Sequence, residues 1–193
     1  MTKHLQRCSW AETAPDFPEY HDNEWGIPVA DDNKLFEKLC LETFQSGLSW
    51  RTILTKREAF RLAFDQFDCY QMAQFDDDKV AQLLANKHII RNQRKILAVI
   101  NNAQRAIELI EQEGSLAHFL WRYEPTPSIE IRTQCAESVA LAKELKKRGW
   151  TFLGPTTLYA FMQSMGMVND HETDCHCHDK IEGLRSQFQR PNN

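Results

Sequence analysis

The chain has no long apolar run, little glycine and no surplus of positive charge, and each absence excludes something. No stretch approaches the ~20 consecutive apolar residues of a membrane-spanning helix. The opening MTKHLQRCSWAETAP lacks the apolar core of a secretory leader, so the expected compartment is the cytoplasm. Six cysteines without such a leader read as reduced thiols or metal ligands rather than a disulfide framework. Only seven glycines and almost no period-2 alternation leave no clear strand. Lys and Arg number 23 against 27 Asp and Glu, a net charge of −4. That balance excludes a protein that holds nucleic acid by bulk charge, while leaving room for a local basic patch. There is no internal repeat and no low-complexity segment. At 193 residues the chain is of single-domain size and needs neither metal nor disulfide merely to form a core.

What the sequence does have is helix periodicity. DDNKLFEKLCLETF opens on two cap candidates, Asp31 and Asp32, and aligns Leu35, Leu39, Glu42 and Thr43 on one stripe. SWRTILTKREAFRLAF sets Trp50, Ile53, Leu54, Arg57 and Phe60 or Phe64 near helical spacing. A short segment around Met72 ends at the acidic run 76–78, which caps a helix carrying Val80, Leu83 and Leu84. The strongest stripe, Ile96, Ile100, Ala103, Ile107 and Ile110, stops at Gly114. SLAHFLWRY is a short helix broken by Pro125 and Pro127, and 124–133 is the one plausible linker. Val139, Ala142 and Leu145 mark a helix that runs into KKRG, and GPTTLYAFMQSMG has Pro155 in a first turn and Gly166 at a stop. The expectation is an all-α single domain over 1–193, with a metal-prone tail after the last core helix.

Two features point to chemistry. Glu42 shares the apolar face of Leu35 and Leu39, where a carboxylate costs free energy unless it is bonded, paired or facing a cavity. Either it points to water from the helix end, or it faces a pocket with Trp50, brought back by a turn at Gly47. Such a pocket suits a flat, polar or cationic ligand. Tyr20 and Trp25, in YHDNEWG, are core residues or further walls of it. The second feature is HETDCHCHD, residues 171–179, which is either a tail that is polar by drift or a set of metal ligands. It contains no H-E-x-x-H, so a hydrolytic zinc site of that kind is not read here.

RCSW, YHDNEWGIP, LETFQSGLSW and LKKRGWTFLGPTTLYAFMQSMGMVNDH together resemble the type I 3-methyladenine DNA glycosylases of the helix-hairpin-helix superfamily, in order from about residue 7 to 178. The resemblance implies a helix-hairpin-helix lobe at about 35–120 and a second lobe from segments 1–30 and 133–180. One structural zinc ion would clip that second lobe through Cys8, His21, His171 and Cys175, with His176, Cys177 and His178 as bystanders or outer partners. It implies a monofunctional enzyme that hydrolyses the N-glycosidic bond of 3-methyladenine in alkylated double-stranded DNA, works as a monomer and needs no membrane. Glu42 is then the principal recognition and electrostatic residue, Tyr20 bonds the flipped base, Trp50 stacks on it, and Trp10 and Trp25 wall a negative, aromatic pocket. Leu48 is the candidate wedge that fills the gap in the duplex. The hairpin falls at NKHIIRNQRK, residues 86–95, with Arg91, Arg94 and Lys95 facing phosphate. The alternative is a protein of the same fold that binds the alkylated base without cleaving.

The chain departs from the family pattern in places. His88 stands where members commonly carry Gly, which makes any left-handed backbone in the hairpin harder to adopt. Thr43, in LETF where members have LEG, would narrow the pocket, and Phe17 replaces a Tyr of some members. The segment from Trp121 to Lys146 is shorter than in some relatives.

Overall fold

The computed structural model describes residues 5–126 and 132–191, and among them there is no strand. The helices run in chain order α1 (Phe17–Asn23), α2 (Asp32–Gln45), α3 (Trp50–Leu54), α4 (Arg57–Ala63), α5 (Cys69–Met72) and α6 (Asp77–Ala85). They continue as α7 (Gln93–Glu113), α8 (Leu116–Trp121), α9 (Ala136–Lys147), α10 (Pro155–Ser164) and α11 (His178–Gln187). None is long and apolar enough to cross a membrane.

Short polar side chains satisfy the open N–H groups at several helix starts. Asp31 caps α2, Asp76 caps α6, Asn92 caps α7 and Ser115 caps α8. Asp32, the other cap candidate, instead accepts from the N–H groups of Leu116 (3.1 Å) and Ala117 (2.7 Å), tying α8 to the start of α2.

Three expectations change. The 50–64 helix is two, because Thr55 ends α3 with its hydroxyl on the Arg51 carbonyl (2.9 Å) and α4 starts again at Arg57. Val139 is exposed: the buried face of α9 is Ser138, Leu141, Ala142 and Leu145, one step round the helix. The Cys/His-rich stretch is not a tail, since 171–177 form turns and bends interrupted only at Glu172 and a further helix, α11, follows. Ile181 and Arg185 anchor α11, the guanidinium donating to the Gly166 carbonyl. Of the linker at 124–133, the described residues 124–126 and 132–133 are not helical. Residues 127–131, Pro127 among them, lie outside the described residues.

The helix that positions the site is α2, which packs against α3, α7, α8 and α10. Leu35, Phe36, Leu39, Leu41 and Phe44 are all buried, and burying each such side chain stabilises the fold by roughly 1.5–3 kcal/mol. A helix covered on nearly every side is a core element. Its polar residues Lys38 and Glu42 are therefore held inside. The 24–29 segment lies along the end of α10, with Gly26 N donating to Ser164 O and Val29 N to Met165 O (both 3.3 Å). Gly166, at φ +71°, permits this approach: a Cβ there would sit 2.4 Å from Pro28 N.

Candidate active site and metal centre

A cavity of about 380 Å³ opens where the N-terminal arm, α1, α2, α3 and α10 meet. Its aromatic walls are Trp10, Phe17, Tyr20, Trp25 and Trp50. Trp10 meets Trp25 edge-on at 5.1 Å and Phe17 at 5.6 Å, and Tyr20 lies 5.4 Å from Trp50. The rings brace one another and leave their remaining faces to the cavity. Trp50 Nε1 is buried and has no hydrogen-bond partner among the described residues.

Glu42 lines this cavity and is only 4% exposed, so the reading in which it points to water from the helix end is overturned. Burial pushes its carboxyl up to about 7, against the opposing pull of the Lys38 ammonium. Thr43 does not narrow the cavity: it is buried on another side of α2 with its hydroxyl on Leu39 O (2.9 Å).

Sequence reasoning missed Lys38, Gln45, Gln163, Ser164 and Asp170. Gln45, Gln163, Ser164 and Asp170 line the cavity. Asp170 Oδ2 accepts from Tyr159 Oη and Gln163 Nε2, both at 2.8 Å, which fixes the amide at the wall. The available signal was Gln163 and Ser164, polar residues in the apolar run LYAFMQSM. Lys38 is buried behind Tyr20 and Trp50, its ammonium 3.0 Å from Tyr20 Oη.

Beside this cavity Cys8, His21, His171 and Cys175 converge, all buried, with donor atoms within 4.8 Å of one another. Cys8 Sγ and Cys175 Sγ lie 3.5 and 3.6 Å from His171 Nδ1, and Cys175 Sγ lies 3.5 Å from His21 Nε2. The other atoms of each donor are spoken for. His21 Nδ1 bonds Asp22 Oδ1 (2.8 Å), His171 Nε2 faces Trp25 O (3.3 Å), and the N–H groups of Glu172 and Cys177 donate to Cys8 Sγ and Cys175 Sγ. Burial raises the Asp22 carboxyl, but hydrogen bonds from Arg7 and His21 outweigh it and hold it at about 2. Burial also pushes the Cys8 thiol up to about 12 and the His171 imidazole down to about 4. A bound cation would offset that burden on the Cys8 thiol. His171 and Cys175 reach the cluster from a turn, not from a helix as their spacing of four allowed. Gly26 admits the His171 ring, which a Cβ would meet at 3.1 Å.

The candidate DNA-facing residues separate. Leu48 stands 38% exposed on the α2–α3 loop, so it is not a core leucine. Gly47 at φ +78° turns the chain there, and Gln45 Nε2 bonds Leu48 O (2.9 Å). Arg91 and Arg94 are exposed between α6 and the first turn of α7, Arg94 lying over the Phe152 ring at 5.7 Å. Lys95 does not face phosphate: it is buried, and its ammonium donates to Phe44 O (2.7 Å) and Ser46 O (2.5 Å) at the end of α2. The His88 substitution carries no strain, since its φ is not left-handed; its N–H donates to Asn86 Oδ1 (2.9 Å) and its carbonyl accepts from Lys56 (3.1 Å).

Comparison with known proteins accords with this geometry. The sequence model of the family described as methyladenine glycosylase matches residues 10–178. DNA-3-methyladenine glycosylase 1 of Escherichia coli (strain K12) is 42% identical over 182 residues, covering 90% of this chain and 97% of that protein. A crystal structure of 3-methyladenine DNA glycosylase I superposes with a TM-score of 0.84 at 47% identity, over 90% of this chain and 100% of that one. The 3-methyladenine DNA glycosylase I of Staphylococcus aureus, solved for the structural basis of its 3-methyladenine recognition, gives 0.85 at 32% identity, over 90% and 97%. On its sequence and its all-helical fold, the chain belongs to the methyladenine glycosylase family.

Proposed function

We propose that this enzyme hydrolyses the N-glycosidic bond of 3-methyladenine in alkylated double-stranded DNA, after the nucleotide is turned out of the duplex into the aromatic cavity. The observation that carries the reading is a carboxylate, Glu42, buried at the wall of a cavity otherwise built from rings. The names of the relatives, DNA-3-methyladenine glycosylases at 41–42% identity, support the substrate.

A 3-methylated adenine is cationic while attached to the sugar, so its glycosidic bond is already weak and the base leaves neutral. The site then needs no strong acid; it has to accept the alkylated base and exclude the normal one. Trp50 offers a stacking face and Tyr20 and Glu42 offer hydrogen bonds to the base edge, while Trp10 and Trp25 keep water from the opposite side. Ionised Glu42 favours the cationic glycoside over neutral adenine. Among the described residues no lysine lines the cavity, which supports hydrolysis without a Schiff base and without strand cleavage.

One zinc ion at Cys8, His21, His171 and Cys175 completes the second lobe, formed by segments 1–30 and 133–180. Tetrahedral zinc with Zn–S of about 2.3 Å and Zn–N of about 2.0 Å separates S and N by about 3.5 Å. The S···N distances of 3.5, 3.5 and 3.6 Å fit that geometry. Four protein donors leave no open position, so the ion is structural, and the Asp22 and Trp25 contacts fix both imidazoles. The turn between α6 and α7 serves as the hairpin, its backbone N–H groups meeting phosphate with help from Arg91 and Arg94. Leu48 enters the duplex where the base has left. A single copy of the chain holds all these parts.

The test is release of free 3-methyladenine from methylated duplex DNA, with the wild-type protein and Glu42→Gln compared at matched zinc content. Release that falls at least about tenfold in the variant is expected. A wild-type protein that binds the free base, seen as tryptophan quenching, yet releases none is a base-binding protein and not a glycosylase.

A further inference from the structure

Lys38 is buried, 3% exposed, and the mechanism above gives it no part. It sits one turn before Glu42 on the same face of α2, against the back of two cavity walls. Its Nζ lies 3.0 Å from Tyr20 Oη, 4.4 Å from the centre of the Trp50 ring and 4.8 Å from that of Tyr20. Glu24, at 3.8 Å, is the nearest ion-pair partner, and Arg57 already holds that carboxylate at 2.6 Å. Burial lowers the lysine's proton affinity, while Glu42 and Glu24 raise it. A buried ammonium with so little neutralisation is an expensive way to fill space that an aliphatic side chain would fill.

We propose that Lys38 is a positioning residue that sets the Tyr20 hydroxyl as a hydrogen-bond donor to the base in the cavity. An ammonium can only donate, whereas a phenol has one proton and two lone pairs. With Lys38 donating into one lone pair, the phenol proton is turned away from α2. On the cavity side it meets the base, or Ser164, whose own proton is committed to Phe161 O (2.9 Å). The same ammonium lies over one face of the Trp50 ring, a contact that does not depend on the Tyr20 hydroxyl. The lysine thus makes Tyr20 select for an acceptor on the base edge, and it does so without entering the cavity.

This inference rests on the base-excision reading of the cavity, and a double-mutant cycle separates the two. Affinity for free 3-methyladenine is measured by tryptophan quenching, and kcat/KM for base release from methylated duplex, in Lys38→Met, Tyr20→Phe and the combined variant. Lys38→Met alone is expected to weaken both by about tenfold. In the Tyr20→Phe background, where there is no proton to orient, it is expected to change them by less than about twofold. In a Glu42→Gln background the full tenfold effect should persist. Equal effects of Lys38→Met with and without the Tyr20 hydroxyl overturn the proposal, as does loss of the effect in Glu42→Gln, which would make Lys38 a charge partner of Glu42. Unchanged affinity and kcat/KM in Lys38→Met also overturn it. Lys38→Gln, with the thermal midpoint measured alongside, covers a folding failure of the Met variant. If the wild type itself releases no base, the base-excision reading fails first, and the affinity cycle still decides the role of Lys38.

Discussion

A carboxyl pushed by burial to about 7 is partly protonated at neutral pH, and Glu42 therefore links stability to function in opposite directions. Its ordinary value is 4.5, so the folded state holds the proton more tightly than the unfolded chain does. The associated stability is fully present below pH 4.5 and is lost as pH rises through about 7. The shift corresponds to a loss on the order of 3 kcal/mol. Glu42→Gln, which cannot ionise, should gain denaturation midpoint relative to wild type between pH 5 and pH 8 while losing activity at both. Parallel midpoints across that range would show that Glu42 gives up its proton as readily in the folded protein as in the unfolded chain, and that burial does not hold it. Glu42 was legible in the sequence because an acid on the stripe of Leu35 and Leu39 contradicts its neighbours. Lys38 was not, although it occupies the same face. A lysine on an apolar stripe reads as a long stem carrying its charge to water, and only the all-round burial of α2 rules that out.

Among helices and loops, the run NKHIIRNQRK shows what composition leaves undecided. It puts three cations close together, but the direction of each depends on its place around α7. Ile96 and Val99 face the core, and Lys95, beside Ile96, is carried inward to the last carbonyls of α2. Those carbonyls have no helical partner, and an ammonium is well suited to them. Arg91 and Arg94 remain outside. Lys95→Met should destabilise the fold by about 2 kcal/mol in urea denaturation by leaving buried acceptors unmet. Arg91→Ala should leave stability within about 0.5 kcal/mol. It should weaken duplex binding and reduce the slope of log affinity against log salt by about 1. If the two variants exchanged these phenotypes, both assignments would be wrong. The caps of α2 and α6 and the Pro155 start of α10 were readable because each is settled within three or four residues. The α3–α4 break and the exposure of Val139 were not, since neighbouring turns of one stripe differ only in what packs against them.

For the molecule as a whole, the decisive feature is closure of the chain, and periodicity carries no record of it. Cys8 and His21 meet His171 and Cys175 across some 150 intervening residues, and only the resemblance of scattered motifs to a known family pointed to the pairing. The same four residues stand against the proposed active site. Cys8 lines the cavity, Trp10 follows it by two residues, and Trp25 packs against His171 at 4.6 Å. If the proposed zinc ion holds these residues together, its removal should therefore act on two measurements together. A strong chelator should lower the thermal midpoint by on the order of 10 °C. It should also shift Trp10 and Trp25 emission toward that of solvated indole and abolish quenching by free 3-methyladenine, while the helices around α2 and α7 keep most of the far-UV signal. Cys8→Ser should reproduce the chelated state without chelator. Cys177→Ser should not, because Cys177 lies outside the four-donor set and its N–H, rather than its sulfur, serves Cys175. A chelated protein that keeps its midpoint but loses base affinity would move the ion from structure to the chemistry of the cavity. One that keeps both would leave the cluster four buried residues that pack without metal.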